Sequence, residues 1–593
     1  MPSLTRASRI IGALGLLSLI STPMGSVSAS GKPVVKPAPV SERSPVHCQR
    51  GDREDDMIVT GQKVKRYGNG TSSPLAPPPP PSVAPSPYPQ TSKAAPSVAV
   101  SGDSARIRTS TPYPMPQPLP ENRERYTGKE VASIKSTANE PVSTFSVDVD
   151  TGSYANVRRY LTQGQTPPVD AVRTEEMLNY FRYDYPVPKD RSRPFSVTTD
   201  MAKTPWNPNT TLLRIGIKGF DLPKTERPPT NLVFLVDVSG SMFAPDKLPL
   251  VKTSLSMLAD RLGANDRVSI VVYAGAAGIV LDPTNQPRYV KRALDCLQAG
   301  GSTAGGQGME LAYATARANF VRGGVNRVIM ATDGDFNVGI SSNEGIEAIV
   351  KKNREIGITL TTLGFGQGNY NEAMMEKVAD IGNGNYAYID TALEAQKVLD
   401  EEMAATIFTI AKDVKIQLEF DPAVVKEYRL IGYENRILAE EDFNNDKVDA
   451  GDIGSGHQVT ALYEVVTAGH PGWLPERRYE ANRVVPKPMI ALAPREVGWL
   501  KLRYKLPDGD TSMLIEQPIG YGLFQRAAVP TGDMAFATAV AAFGQKLRGD
   551  KYLGSFSFAD VRALAGDQRG YLREEFLKLT SLAGSQKVVA RVN

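Results

Sequence analysis

Between residues 231 and 404 the chain alternates short apolar runs with amphipathic stretches, and no other feature limits its fold as tightly. The apolar runs cover 232–236, 268–273, 328–331, 358–363 and 386–389, with a shorter one at 279–281. Helical spacing fills the intervals at 248–262, 289–297, 309–320, 344–356 and 372–381. Strands that are apolar throughout are buried on both faces, and strand–helix alternation makes successive strands parallel, with helices above and below. The expected fold class is α/β: a doubly wound, mostly parallel, Rossmann-like sheet. Such sheets bind ligands beyond the carboxyl ends of their strands, where the strand order reverses.

Three of those strand ends carry oxygen-bearing side chains. The first apolar run finishes in Asp237-Val-Ser239-Gly-Ser241, an acid followed by two hydroxyls at alternate positions. A glycine-rich turn, Gly300-Gly301-Ser302-Thr303, opens the helical stretch after 299, and a later strand ends in Thr332-Asp333-Gly334-Asp335. Taken singly, each segment is also ordinary turn and helix-cap chemistry. Together they place Asp237, Ser239, Ser241, Thr303 and Asp333 at neighbouring strand ends. Hard cations take such oxygen ligands, with Mg²⁺ preferring near-octahedral geometry. The candidate metal residues are these five, and the cation is Mg²⁺ or another divalent ion such as Mn²⁺ or Ca²⁺.

The order and context of these segments resemble the metal-ion-dependent adhesion site (MIDAS) of von Willebrand factor type A (VWA) domains. Longer runs, Ser143-Thr-Phe-Ser-Val-Asp-Val-Asp-Thr-Gly-Ser-Tyr154, Ile431-Gly-Tyr-Glu-Asn-Arg436 and Gly454-Ser-Gly-His-Gln-Val-Thr-Ala-Leu-Tyr-Glu464, resemble a family of exported bacterial VWA proteins. The resemblance covers the chain from about residue 141 onward. It implies an N-terminal flanking domain, a VWA core and a C-terminal region without an assigned activity. Some relatives are lipid-anchored, whereas here no cysteine follows the apolar N-terminal run.

That N-terminus reads as a secretory signal over 1–29. Arg6 and Arg9 supply the positive end, 10–20 the apolar stretch, and Val27-Ser28-Ala29 the small-residue cleavage pattern. The mature chain is therefore expected to be exported, periplasmic or secreted, with no transmembrane helix. Residues 30–121 are rich in Pro, Ser and Ala and cannot bury enough apolar surface to offset their ordering entropy. They read as a disordered spacer. Ordered structure is expected from about 141, within a flanking domain at 140–228. The VWA domain follows at 229–404 and a β-rich region with terminal helices at 411–593. Strands at 195–201, 211–218, 414–420, 428–433, 459–466, 499–506 and 512–519 suggest one β-sandwich with the VWA domain inserted, or a separate C-terminal domain. Helices are expected at 534–547 and, unbroken, at 559–580.

A net charge of +4 on 593 residues argues against nucleic acid as a partner. Three histidines leave little material for zinc sites or histidine-based catalysis, and Cys48 and Cys296 are not expected to pair. The expected function is a non-enzymatic, metal-dependent protein-binding module of the cell envelope, gripping an Asp or Glu of a partner protein. One alternative is a structural envelope component with a non-essential metal site. Another is a phosphatase, with Asp148 as nucleophile and Asp150 as general acid.

Overall fold

The run Thr230–Asp237 is buried along its whole length, and its alternate residues feed two different cores. Leu232, Phe234 and Val236 point into one, while Val233 and Leu235 point into the other. A strand needs two such faces only when helices cover both sides of its sheet. The computed structural model describes residues 44–47, 123–189, 191–303, 305–334, 343–402, 405, 407–475 and 496–589. The expected signal segment, Asp335 and the loop 336–341 lie outside the described residues.

Ahead of that run lie β1 (Lys135–Ser136), β2 (Val142–Ser146), β3 (Phe195–Lys203) and β4 (Thr210–Gly219), with helices α1 (Gly152–Thr162) and α2 (Thr174–Asn179). The α/β sheet then comprises β5 (Thr230–Asp237), β6 (Arg267–Tyr273), β7 (Ala277–Thr284), β8 (Val325–Thr332), β9 (Ile358–Phe365) and β10 (Tyr386–Ile389). Its helices include α3 (Leu248–Ala259), α4 (Pro287–Asp295), α5 (Gly305–Ala318), α6 (Asn343–Arg354) and α7 (Glu372–Ile381). The strand order is β10-β9-β8-β5-β6-β7, parallel except for the β6–β7 hairpin. From β5 the chain goes first to β6 on one side and later to β8 on the other. The carboxyl end of β5 is thus the switch point.

Behind this sheet follow β11 (Thr409–Phe420), β12 (Val425–Ile431), β13 (Ile453–Gly454), β14 (Gln458–Thr467), β15 (Glu496–Lys505) and β16 (Ser512–Gly520). They pair with the early strands: β2 lies antiparallel to β11, and β4 to β14. The two antiparallel sheets share one core, in which Phe145, Leu213 and Ile215 meet Ile416, Tyr463 and Leu500. The outer side of the sheet holding β4 and β14 is covered by α1, α2 and the last helices, through Leu212 and Leu462 against Met177, Phe536 and Phe576.

Four expectations change. The helix expected unbroken at 559–580 is two, Phe558–Ala565 and Tyr571–Val589. Gly566 at φ +65° ends the first, a conformation that costs glycine little. The ordered chain begins before 141, since β1 pairs with β12, and Arg125 N–H donates to Tyr370 O at 2.9 Å. Within the expected spacer, 45–47 lies along the sheet edge. His47 N–H donates to Val280 O, and Asp282 N–H to Pro45 O, both at 2.9 Å. An edge strand presents unpaired backbone groups, and this short stretch satisfies some of those of β7. The rest of the expected spacer lies outside the described residues. Finally, Cys296 is disulfide-bonded, and the chain's other cysteine is Cys48. Among the described residues no helix is long and apolar enough to cross a membrane.

Candidate metal centre

Asp237 is the last residue of β5 and is wholly buried. Its Oδ1 accepts the Ser239 backbone N–H at 2.9 Å, which folds the following loop back over the strand end. Its Oδ2 accepts the Thr332 hydroxyl at 2.9 Å and the Tyr273 hydroxyl at 3.2 Å. One carboxylate therefore ties together the ends of β5, β6 and β8. Burial pushes the Asp237 carboxyl up to about 6; hydrogen bonds from Ser239 and Thr332 oppose the rise, and the nearby charge of Asp333 adds to it.

The loop held by Asp237 presents Ser239 Oγ and Ser241 Oγ 3.0 Å apart. Ser239 is buried and Ser241 is exposed, so the pair runs from the strand end to the surface. Two backbone hydrogen bonds fasten the glycine-rich turn beside it: Gly300 N–H to Val238 O at 2.8 Å, and Gly240 N–H to Gly301 O at 3.0 Å. Thr303 follows in that turn and is buried. Asp333 comes next after Thr332 and is fully buried. Its Oδ2 accepts Lys247 Nζ at 2.9 Å and Asn369 Nδ2 at 3.1 Å.

The structure thus brings the three sequence segments to one place, through direct bonds for Asp237, Ser239 and Ser241 and through backbone or neighbour contacts for Thr303 and Asp333. The donor set is two carboxylates and three hydroxyls, all hard oxygen donors, which fits a divalent cation of the Mg²⁺ type. Among the described residues no group of three or more His, Cys, Asp or Glu gathers as a metal cluster. Sequence reasoning missed Tyr273, Thr332, Asn369 and the role of Lys247. The first two end strands adjacent to β5, and that position was their only signal. Lysine and asparagine in loops carry none.

The Asp148–Asp150 pair sits elsewhere and is spoken for. Asp148 Oδ2 accepts Arg436 Nε at 3.2 Å, and Asp150 Oδ2 accepts Arg436 Nη2 at 3.1 Å. The remaining oxygens take the Asp150 and Tyr386 backbone N–H groups, each at 2.9 Å. Both side chains are buried, so neither has the exposed, unengaged oxygen that a phosphatase nucleophile needs.

Comparison with known proteins identifies the central sheet and its flanking regions by family. The von Willebrand factor type A domain model matches residues 231–402, a von Willebrand factor model matches 120–214, and the model for the C-terminal part of the uncharacterized protein YfbK matches 405–585. Uncharacterized protein YfbK of Escherichia coli K12 is 48% identical over 472 residues, covering 77% of this chain and 81% of that protein. Uncharacterized protein sll0103 of Synechocystis is 30% identical over 368 residues, 60% of this chain and 80% of its own. Among solved structures, a von Willebrand factor type A protein from Catenulispora acidiphila is 17% identical, with a TM-score of 0.37, covering 65% of this chain and 88% of that one. With a VWA domain at its centre and 48% identity to YfbK over an alignment that covers most of both lengths, the chain belongs to the YfbK family of VWA-domain proteins.

Proposed function

We propose that the chain is a protein-binding module of the cell envelope whose strand-end site takes Mg²⁺, or else Mn²⁺ or Ca²⁺, and through it an Asp or Glu of a partner protein. Ser239, Ser241 and Thr303 would offer neutral oxygens to the cation, with Asp333 and Asp237 supplying charge beside and behind them. The observation that carries this reading is how Asp237 is used. Both its oxygens are engaged in holding the strand ends together, so its charge acts from behind the hydroxyls. A cation held mainly by neutral oxygens keeps positive charge for an incoming carboxylate.

Next to the site, Phe243 stands 82% exposed. A large aromatic beside a charged anchor is the composition of an interface hot spot, and it suits a partner that surrounds its acidic residue with apolar surface. Placement outside the cytoplasm is supported by the signal-like N-terminus and by the disulfide at Cys296, since such bonds persist in oxidising compartments.

The test is crosslinking and capture from the exported compartment, comparing wild type with Asp237→Ala in magnesium and in chelator. Capture that survives both chelator and the substitution would end this reading. The second reading, a structural component with a non-essential metal site, is favoured by one contact: an internal ammonium, Lys247, already neutralises Asp333.

A further inference from the structure

The contact between Lys247 and Asp333 is built rather than incidental. Lys247 stands immediately before α3 and is buried, although lysine is among the residues least often buried. Its Nζ lies 2.9 Å from Asp333 Oδ2 and 2.9 Å from Asn369 Oδ1, while Asn369 Nδ2 donates to the same Asp333 oxygen at 3.1 Å. The three groups close a ring of hydrogen bonds over one candidate ligand. The stem of the lysine reaches this ring across Gly366, at φ +75°. A Cβ there would lie 2.3 Å from Lys247 Cγ and 2.4 Å from Cε, so the path exists only because residue 366 has no side chain.

The ring leaves the other half of the site alone. Ser239 Oγ and Ser241 Oγ hydrogen-bond to each other, and Asp237 is engaged with Ser239, Thr332 and Tyr273. Lys247 thus bonds Asp333 Oδ2, while the two hydroxyls bond each other. Two cations cannot both take the same carboxylate oxygen at contact distance without strong repulsion. A lysine ammonium is a compact charge on a flexible four-carbon stem and can swing outward, which a backbone group cannot.

We propose that Lys247 is a displaceable lock on the cation site: it holds Asp333 closed in the metal-free protein and must leave that carboxylate before a divalent ion can use it. This rests on the reading of the strand-end site as a metal site. The lock makes binding weaker than the same oxygens would give alone, and it couples occupancy to a movement at the start of α3. Lys247 itself lies four residues after the exposed Phe243, so the movement is delivered to the surface a partner would meet.

Two measurements test it, with Mn²⁺ and Mg²⁺ alone as probes. In the first, Mn²⁺ affinity of the full chain is measured by titration calorimetry for wild type, Lys247→Met and Asp237→Ala. The lock predicts that Lys247→Met binds at least tenfold more tightly than wild type, while Asp237→Ala binds weakly or not at all. Equal or weaker binding by Lys247→Met, with wild type still binding, overturns the lock and leaves the metal site standing. Binding by none of the three overturns both. The second uses wild type only, so that it does not depend on how the variant folds. Amine acetylation read by mass spectrometry should be slow at Lys247 without metal and rise several-fold in saturating Mg²⁺, with other lysines unchanged. A Lys247 rate indifferent to Mg²⁺, in protein that calorimetry shows to bind it, overturns the lock as well.

Discussion

Arg173 Nη1 donates to Glu372 Oε2 at 2.8 Å, joining the start of α2 in the flanking region to the start of α7 in the VWA sheet. The same guanidinium also engages Glu176, and Glu372 Oε1 accepts Asn156 Nδ2 at 2.9 Å. All four side chains are buried. The flanking helices and the VWA sheet are therefore held to each other by a desolvated ionic contact. Removing one partner of such a pair strands a charge away from water. Arg173→Met is expected to cost about 3–5 kcal/mol in urea unfolding. The double variant Arg173→Met/Glu372→Gln should recover part of that loss.

Asp237 predicts an exchange of stability for function. Its folded-state carboxyl titrates at about 6, above the 3.8 of an unperturbed aspartate, so between those pH values the native state binds more protons than the unfolded one. Stability of the metal-free protein then falls as pH rises through that window, and the cost is complete above it. Asp237→Asn removes the charge and keeps an acceptor oxygen. It should stabilise the metal-free protein at pH 7.5 by up to about 3 kcal/mol and change little at pH 4. The same variant should lose the magnesium-dependent rise in Tm, which for wild type at a hundredfold excess over Kd corresponds to about 2.7 kcal/mol.

His457 titrates in the opposite sense. It is buried, its Nδ1 accepts the Gly454 N–H at 3.2 Å, and burial pulls its folded pKa down to about 3 from 6.5. The unfolded chain takes the proton first, so stability is lost as pH falls from about 6.5 towards 3. At pH 4.5 this amounts to about 3 kcal/mol relative to pH 7.5. His457→Gln should flatten that acid limb in urea midpoints measured across the range. An unchanged slope would show that His457 stays solvated enough to protonate in place.

The stretch 45–47 should depend on the disulfide at Cys296. Dithiothreitol or Cys296→Ser is expected to loosen the backbone bond from Asp282 N–H to Pro45 O and to speed exchange of that amide, a local loss of about 2 kcal/mol. Hydrogen exchange followed by mass spectrometry reads it directly. The amides of β5 and β8 should stay protected.

How much of this was legible depends on how local each signal is. Asp237, Ser239 and Ser241 lie within five residues, and strand-end chemistry of that kind can be read without a fold. The parallel sheet was legible for a related reason: a strand such as β5, buried on both faces, must be apolar throughout. Lys247 was not legible, because its partner Asp333 is 86 residues away and nothing about a lysine before a helix announces burial. The stretch 45–47 is hidden by its surroundings, since composition averages over a whole segment while three residues suffice to line a sheet edge. The break at Gly566 rests on a single glycine, while apolar periodicity runs on both sides of it.

The nested topology sets an order of events during synthesis. Ser143 of β2 pairs with Leu418 of β11, and Ile215 of β4 with Ala461 of β14, so β2 and one edge of the β3–β4 hairpin wait for mates that emerge after the entire VWA sheet. At elongation rates of about 5–20 residues per second that wait is roughly 10–50 s. Just before β11 emerges the inserted sheet has all six of its strands, β5–β10, and the sandwich has four of its ten. The early strands meanwhile offer bare hydrogen-bonding edges to any neighbouring chain. The topology thus lets the central sheet complete its pairing first and bring the two halves of its own housing together.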